Sequence, residues 1–233
     1  VHGLSLARRT PPRSWHSEAM EPSATSVLVD TPGGPARLHL AAPEAPRVVL
    51  VLGGGASGQV GTPDLEALAR ELPALGVAVV RVELPWRVAG RRVGPRPPAS
   101  DPLWLACVDA VRARFAGRPL FCGGRSAGAR IACRTHGPGV AGVVALAFPL
   151  HPPGRPEASR AAELAAVSGP VLLVQGAGDP FGTPAELREA LAAQEQAGPR
   201  EVVVVPGAAH TLPAGAGGVI VAAVAGFVGA RPV

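Results

Sequence analysis

A serine near the middle of the chain carries the clearest chemical signal. Ser126 lies in the pentapeptide Gly124-Arg125-Ser126-Ala127-Gly128, directly after an apolar run. A serine flanked by small residues at this spacing can occupy a strained turn from a strand to a helix, which presents its hydroxyl group to a substrate. The amide of Ala127 would lie at a helix N-terminus, where it can stabilise a negatively charged oxygen. The pattern therefore predicts a nucleophilic serine that attacks an acyl carbon.

A serine nucleophile needs a general base, and the base needs a carboxylate that orients it. Asp179 follows an apolar run over residues 171–175, and His210 follows another over residues 201–205. Around a turn of this kind the chain order is serine, then acid, then histidine, and His210 is the only histidine after Asp179. We predict that His210 takes the hydroxyl proton of Ser126 and that Asp179 holds the imidazole.

Further groups around the predicted serine are candidates for binding the substrate. The glycine-rich loop over residues 53–58 follows a strand, and its Ala56 amide is the expected second donor to the oxyanion. The candidate side chains are Arg125, His151, Arg91 and Arg92, with Arg96 in the same loop as the last two. Clustered guanidinium groups would favour small or anionic acyl substrates. The alternatives are a solvated loop and an Arg125 that is paired with a structural acid.

The elements that must position these residues alternate along the chain. Strands are expected over residues 25–30, 36–41, 48–52, 77–82, 119–122, 140–147, 171–175 and 201–205. Helices are expected over residues 63–72 (with Thr62 as N-cap), 101–115, 127–135, 157–167, 184–196 and 217–228. This order predicts an α/β fold, with a mostly parallel central sheet and helices on both faces. In such sheets the functional groups collect at the carboxyl ends of the strands.

Length and composition narrow the possible classes. The 233 residues fit one α/β domain over residues 25–233, preceded by a tail over residues 1–24 that is expected to be disordered. Three cysteines without a C-x-x-C pair indicate free thiols and a cytoplasmic location. A net charge of +5 would permit nucleic-acid binding, but the sequence contains no nucleic-acid-binding motif. The apolar run over residues 214–230 predicts a buried helix and no membrane span. No motif for a metal ion is found in the sequence.

The glycines after the third predicted strand permit a different function. Gly53, Gly55 and Gly58 form a G-x-G-x-x-G pattern, and Glu83 ends the next strand, as in a dinucleotide-binding fingerprint. That fingerprint needs a helix that begins within the motif, whereas Pro63 delays the helix here. We therefore predict no cofactor and keep dinucleotide binding as an alternative.

Taken together, the motifs resemble the α/β-hydrolase superfamily over roughly residues 25–230. The resemblance rests on the glycine-rich loop, Gly124-x-Ser126-x-Gly128, Asp179-Pro180-Phe181-Gly182 and the late His210, and it is closest to the dienelactone-hydrolase-like members. The segment Phe148-Pro149-Leu150-His151-Pro152-Pro153-Gly154 and the basic residue before the serine resemble the KANSL/Tex-type branch. The resemblance implies an α/β-hydrolase fold without a lid domain, a triad of Ser126, Asp179 and His210, and an oxyanion hole at Ala56 and Ala127. Dienelactone hydrolases proper carry a cysteine nucleophile, and their usual His-Gly before the oxyanion residue is Gly54-Gly55 here.

These observations predict a serine hydrolase that cleaves an ester, thioester or related acyl bond of a small molecule through an acyl-serine intermediate. We expect a monomer or homodimer without nucleic-acid or membrane partners. The alternative from another class is a non-catalytic interaction protein, because some eukaryotic members of the branch are subunits of larger assemblies.

Overall fold

The computed structural model describes residues 25–95, 97–194 and 198–230, so the tail predicted over residues 1–24 lies outside it. The strands in these ranges are β1 (Thr25–Thr31), β2 (Gly34–Ala41), β3 (Val48–Gly53), β4 (Val77–Glu83), β5 (Leu120–Arg125), β6 (Gly142–Leu146), β7 (Val171–Gly176) and β8 (Arg200–Val205). They form one sheet in the order β1-β2-β4-β3-β5-β6-β7-β8. The hairpin of β1 and β2 joins β4 in antiparallel fashion, and the strands from β4 to β8 are all parallel.

Helices cover both faces of the sheet. They are α1 (Pro63–Glu71), α2 (Pro85–Val88), α3 (Asp101–Arg114), α4 (Ala127–Arg134), α5 (Ala161–Ala165), α6 (Pro184–Ala192) and α7 (Gly217–Phe227). Alternate residues of a strand point to opposite faces. Val49 and Val51 of β3 accordingly pack in the core beneath α3 to α6, whereas Leu50 and Leu52 pack in the core beneath α1 and α7. The predicted α/β fold is confirmed, and the described connections between strands contain no separate lid domain.

Several boundaries differ from those expected from the sequence. The strand predicted over residues 119–122 continues to Arg125, because Gly123 and Gly124 still pair with β3. The single helix predicted over residues 157–167 is wrong. Ser159 is extended there and its Oγ accepts a hydrogen bond from the Ala161 amide, so a short 3₁₀ turn is separated from α5. The helix expected to reach residue 196 ends at Ala192, and residues 195–197 lie outside the description.

The apolar run near the C-terminus forms α7, whose Ile220 and Val224 are fully buried. Within the described ranges, no helix combines the length and apolar character that crossing a membrane requires. The carboxyl ends of β3, β5, β7 and β8 meet at one edge of the sheet, because these strands are parallel. The loops that leave this edge contain the predicted site residues.

Candidate active site

Ser126 occupies a strained turn between β5 and α4. Its backbone lies at φ 53° and ψ −107°, an uncommon conformation for a residue with a side chain. Its amide donates to the carbonyl of Leu146 at 2.9 Å, and its carbonyl accepts from the Arg130 amide. A Cβ atom at Gly124 or Gly128 would collide with the carbonyl oxygen of Gly53. The small residues of the pentapeptide are therefore required, because β3, β5 and α4 meet too closely for any side chain.

Ser126, His210 and Asp179 form a continuous chain of hydrogen-bonded side chains. Ser126 Oγ lies 2.9 Å from His210 Nε2, and His210 Nδ1 lies 2.9 Å and 3.2 Å from the two carboxylate oxygens of Asp179. A carboxylate only accepts hydrogen bonds, so Nδ1 carries the proton and Nε2 is left as an acceptor for the serine hydroxyl. The Asp179 side chain is completely buried, while one fifth of the His210 side chain is exposed.

Two residues that the sequence analysis did not select hold the acid and the histidine. Gln175, fully buried in β7, donates from Nε2 to Asp179 Oδ2 at 2.8 Å, and the Phe181 amide donates to Oδ1 at 2.9 Å. The Phe181 ring also packs on the imidazole of His210, with 4.2 Å between the ring centres. Gln175 was detectable as the one polar residue at the end of an apolar strand, whereas Phe181 was part of the motif that carries the family resemblance but had no role assigned to it.

The glycine-rich loop after β3 and the first turn of α4 line a cavity of about 290 Å³ that reaches Ala127, the residue after Ser126. Ala56 and Ala127, the two predicted oxyanion residues, both line it. Ala127 is the first residue of α4, so its amide has no acceptor within the helix. For the Ala56 amide, no acceptor occurs among the described residues. Both amides are therefore available to a ligand.

Arg125, predicted as a possible substrate-binding residue, is held inside the protein. Its Nε lies 3.2 Å from Oδ2 of the buried Asp64 in α1, and its Nη2 donates to the carbonyl of His210 at 3.1 Å. Asp64 Oδ1 in turn accepts hydrogen bonds from Thr62 Oγ1 and the Leu65 amide. Thr62 is the N-cap residue of α1, as predicted, but its hydroxyl donates to Asp64 and accepts no hydrogen bond from the helix amides. Arg125 thus has the structural acid that the alternative required and links α1 to the histidine loop, while its contact with a substrate stays a prediction.

The other basic candidates lie away from the cavity beside Ser126. His151 is only 7% exposed, and its ring nitrogens contact the Pro152 carbonyl at 2.9 Å and Glu186 Oε1 at 3.3 Å. Arg91 and Arg92 line two other cavities, and Arg96 lies outside the described residues. His151, Arg91 and Arg92 are thus not among the residues that line the cavity of Ala56 and Ala127, and their contact with a substrate stays a prediction.

Other ligand classes find little support in this geometry. Helix α1 begins only at Pro63, so its N-terminus does not lie within the G-x-G-x-x-G segment as a dinucleotide fold requires. No group of His, Cys, Asp and Glu side chains in the described ranges is arranged to hold a metal ion.

Comparison with known proteins places the chain in a family. Residues 46–216 match the family model of the alpha/beta hydrolase domain, so the chain belongs to the α/β-hydrolase family. The predicted superfamily is confirmed, and hydrolase is the class of activity that this membership supports. The narrower KANSL/Tex-type branch stays a prediction. A comparison with curated protein sequences found no match.

Solved structures share the fold over nearly their whole length. An α/β serine hydrolase homologue from Coxiella burnetii is 19% identical with a TM-score of 0.70, over 88% of this chain and 99% of the other. An α/β serine hydrolase without a lid from Xanthomonas campestris is 21% identical with a TM-score of 0.69, over 93% and 100%. The dienelactone hydrolase from Anabaena variabilis is 18% identical with a TM-score of 0.72, over 89% and 97%. At these identities the likeness shows the fold, in agreement with the dienelactone-hydrolase-like character predicted.

Proposed function

We propose that the chain is a serine hydrolase that cleaves an ester, thioester or related acyl bond through an acyl-serine intermediate. The observation that carries this proposal is the continuous chain from Ser126 Oγ through His210 to the buried Asp179. Membership in the α/β-hydrolase family supports the hydrolase class. The substrate is an acyl compound of low molecular weight, and no cofactor takes part.

The geometry supports a two-step reaction. His210 Nε2 accepts the hydroxyl proton as Ser126 Oγ attacks the carbonyl carbon of the substrate. When the tetrahedral intermediate collapses, the bond to the leaving group breaks, and the leaving group takes that proton from His210. Water then attacks the acyl-serine in the same way, which releases the acid and restores Ser126. Asp179 remains ionised throughout and stabilises the imidazolium that forms in each step.

In both steps the carbonyl oxygen gains negative charge. The proposal assigns the stabilisation of this charge to the free amides of Ala56 and Ala127. Hydrogen-bond donors that are fixed before the reaction need no reorganisation when charge develops, and the loss of one such donor typically costs about 10²- to 10³-fold in kcat. The strained turn at Ser126 serves the same end, because it presents Oγ beside the Ala127 amide.

Labelling with a fluorophosphonate probe tests the proposal directly. The probe should modify Ser126 in the native protein, as located by mass spectrometry of peptides. Ser126→Ala should abolish labelling and reduce ester hydrolysis by about 10³-fold or more. The exposed Ser168→Ala is the matched control and should retain both. Native protein that resists the probe and hydrolyses no acyl ester would overturn the proposal in favour of a non-catalytic interaction protein.

The cellular setting is part of the same proposal. All three cysteines are buried as free thiols, in keeping with the reducing cytoplasm in which disulfides are rare. We propose a monomer or homodimer, which light scattering after size-exclusion chromatography would distinguish from a larger assembly.

A further inference from the structure

The cavity beside Ser126 has walls that are almost entirely apolar. From the amides of Ala56 and Ala127 it extends between the loop after β3 and the start of α4. Its apolar walls are formed by Val82, Leu84, Trp86, Trp104 and Ile131. Any group attached to a carbonyl that is held by the two amides can therefore enter a space whose walls are mostly apolar side chains, with Ser100, Arg130 and Arg134 as the polar ones.

Two tryptophans give this cavity a fixed shape. Trp104 is 1% exposed, and its ring edge lies directly against Gly53 at the end of β3. The indole of Trp86 lies on Gly58 and Gly94, so closely that a Cβ atom at either would come within 2.5–2.7 Å of the ring. Side chains that are already ordered in the free protein lose little entropy when a ligand binds. The aromatic walls are therefore prepared for an apolar ligand.

The two charged side chains that line the cavity, Arg130 and Arg134, are paired with carboxylates of the protein. Arg130 donates two hydrogen bonds to Glu163, at 2.7 Å and 2.6 Å. Arg134 donates two to Asp101, at 3.1 Å and 2.6 Å, and a third to Glu163 at 3.2 Å. Two guanidinium groups thus face two carboxylates of the protein. A ligand carboxylate would have to compete with Asp101 and Glu163 for these two arginines.

We propose that this cavity binds a compact, uncharged apolar group of the substrate, and that the enzyme prefers neutral aryl or branched-alkyl acyl compounds over anionic ones. The inference rests on the proposed function and reverses the preference expected from the arginines of the loop after β4. A dry cavity of about 150 Å³ can bind benzene, so about 290 Å³ holds one ring with its linker. It is too small for a long lipid chain.

The size of the preference follows from the area that is buried. Each buried methylene group contributes about fourfold to binding, so a phenyl ring should raise kcat/KM by roughly 10²-fold over a methyl group. A carboxylate on that ring would have to be buried without a partner of its own, which is costly. The kcat/KM of the carboxylate-bearing ester should therefore be at least about tenfold lower than that of the neutral phenyl ester.

Two series of matched esters test the preference and show which end of the substrate enters the cavity. The acyl series consists of trifluoroethyl esters of acetic, phenylacetic and 4-carboxyphenylacetic acid. The alcohol series consists of acetates of ethanol, 2-phenylethanol and 4-(2-hydroxyethyl)benzoic acid, with proton release as the readout. We expect the ester with the neutral phenyl ring to be the best substrate in one series. Equal rates with and without the phenyl ring in both series, or a faster carboxylate-bearing ester, would overturn the inference.

A substitution in the cavity wall tests whether the cavity causes the preference for the phenyl-bearing ester. Ile131 is half-buried on α4, so Ile131→Phe should fill part of the cavity without leaving a void. The ratio of kcat/KM for the phenyl-bearing ester to kcat/KM for the matched ester without the ring should fall at least about tenfold. Val219→Phe adds the same ring to the exposed side of α7 and should leave the ratio unchanged. Equal ratios in the two variants would place the preference elsewhere and count against the cavity.

A binding measurement separates this inference from the proposed function. Trp15→Phe in a Ser126→Ala background leaves only Trp86 and Trp104 as fluorophores. The neutral quencher 4-nitrophenylacetamide should quench them saturably, and 4-nitrophenylacetic acid should do so at least about tenfold more weakly. Labelling of Ser126 in the native protein without such quenching would overturn the cavity inference alone. Quenching without labelling of Ser126 would overturn the proposed function and support the cavity as a binding site.

Discussion

Gly128→Ala probes the contact on which the proposed oxyanion hole depends. A Cβ atom at residue 128 would collide with the carbonyl oxygen of Gly53 and lie 2.5 Å from its carbonyl carbon and 2.7 Å from the oxygen of Gly54. All three atoms belong to the backbone, so no side chain can move aside. Since real Cβ atoms essentially never come closer than 3.0 Å, the start of α4 and the loop after β3 must separate by at least 0.5 Å.

This separation has two measurable consequences. Overpacking typically costs about 1–3 kcal/mol, which for a chain of this size lowers the melting temperature by roughly 2–12 °C. The Ala56 and Ala127 amides also move apart, because they lie on the two segments that are forced to separate. Because catalytic groups must hold their positions to within about 0.5 Å, and 1 Å costs about 10²-fold, we expect kcat to fall by about 10- to 10²-fold.

The assay compares thermal melting, fluorophosphonate labelling of Ser126 and ester hydrolysis for the variant and the parent. Gly226→Ala in α7 is the matched control, because nothing lies within 4 Å of its added Cβ atom. It should raise stability by up to about 1 kcal/mol through helix propensity and leave the rate unchanged. A Gly128→Ala protein that melts within about a degree of the parent and hydrolyses esters within about twofold of it would refute the reasoning.

Three further predictions concern charge and thiols. Asp64→Asn leaves the guanidinium of Arg125, beside the histidine loop, without its carboxylate. It should therefore destabilise the fold by about 3–5 kcal/mol, seen as a lower melting temperature, and also lower kcat. Unchanged melting and kinetics would contradict this. Burial raises the pKa of the Cys122 thiol to about 12, so iodoacetamide at pH 8 should leave the activity intact, and rapid inactivation would indicate a cysteine nucleophile. Hydrogen bonds from the Thr183 amide and hydroxyl hold the pKa of Glu186 below its ordinary value. Its stabilisation is therefore present above about pH 4.3 and lost as the pH falls further, so the difference in melting temperature from Glu186→Gln should shrink in acid; a difference that grows would contradict the assignment.

The fold was predictable because local patterns determine most of it. The continuous apolar run at Val48–Gly53 is buried on both faces, as expected for a central parallel strand. The pattern G-x-S-x-G predicted a turn in which three backbones meet, and the glycines of that turn have no room for a Cβ atom. The proximity of Ser126, Asp179 and His210 also followed from the sequence, because parallel strands must place their carboxyl ends at one edge.

The contacts of Arg125 could not be predicted in the same way. Beside a nucleophile, an arginine can bind substrate or pair with an acid of the protein, and the sequence left both open. The outcome depends on Asp64, which is buried in the first turn of α1 and pairs with Arg125. The contacts of Phe181 and of the wall residues Trp86 and Trp104 could not be predicted for the same reason. Their roles arise from contacts between distant segments, for which periodicity gives no signal.

In this fold, reactivity and selectivity depend on the same small residues. Gly53 lies at the carboxyl end of β3, where an added Cβ atom would come within 3.1 Å of Gly128 in the catalytic turn and within 3.3 Å of the Trp104 ring. Gly58 ends the proposed oxyanion loop and also supports Trp86, the other aromatic wall of the cavity. A larger side chain at either glycine would therefore displace an oxyanion amide and a cavity wall together. At positions such as Ile131, which line the cavity on α4, a change of side chain can alter substrate preference independently of these glycines.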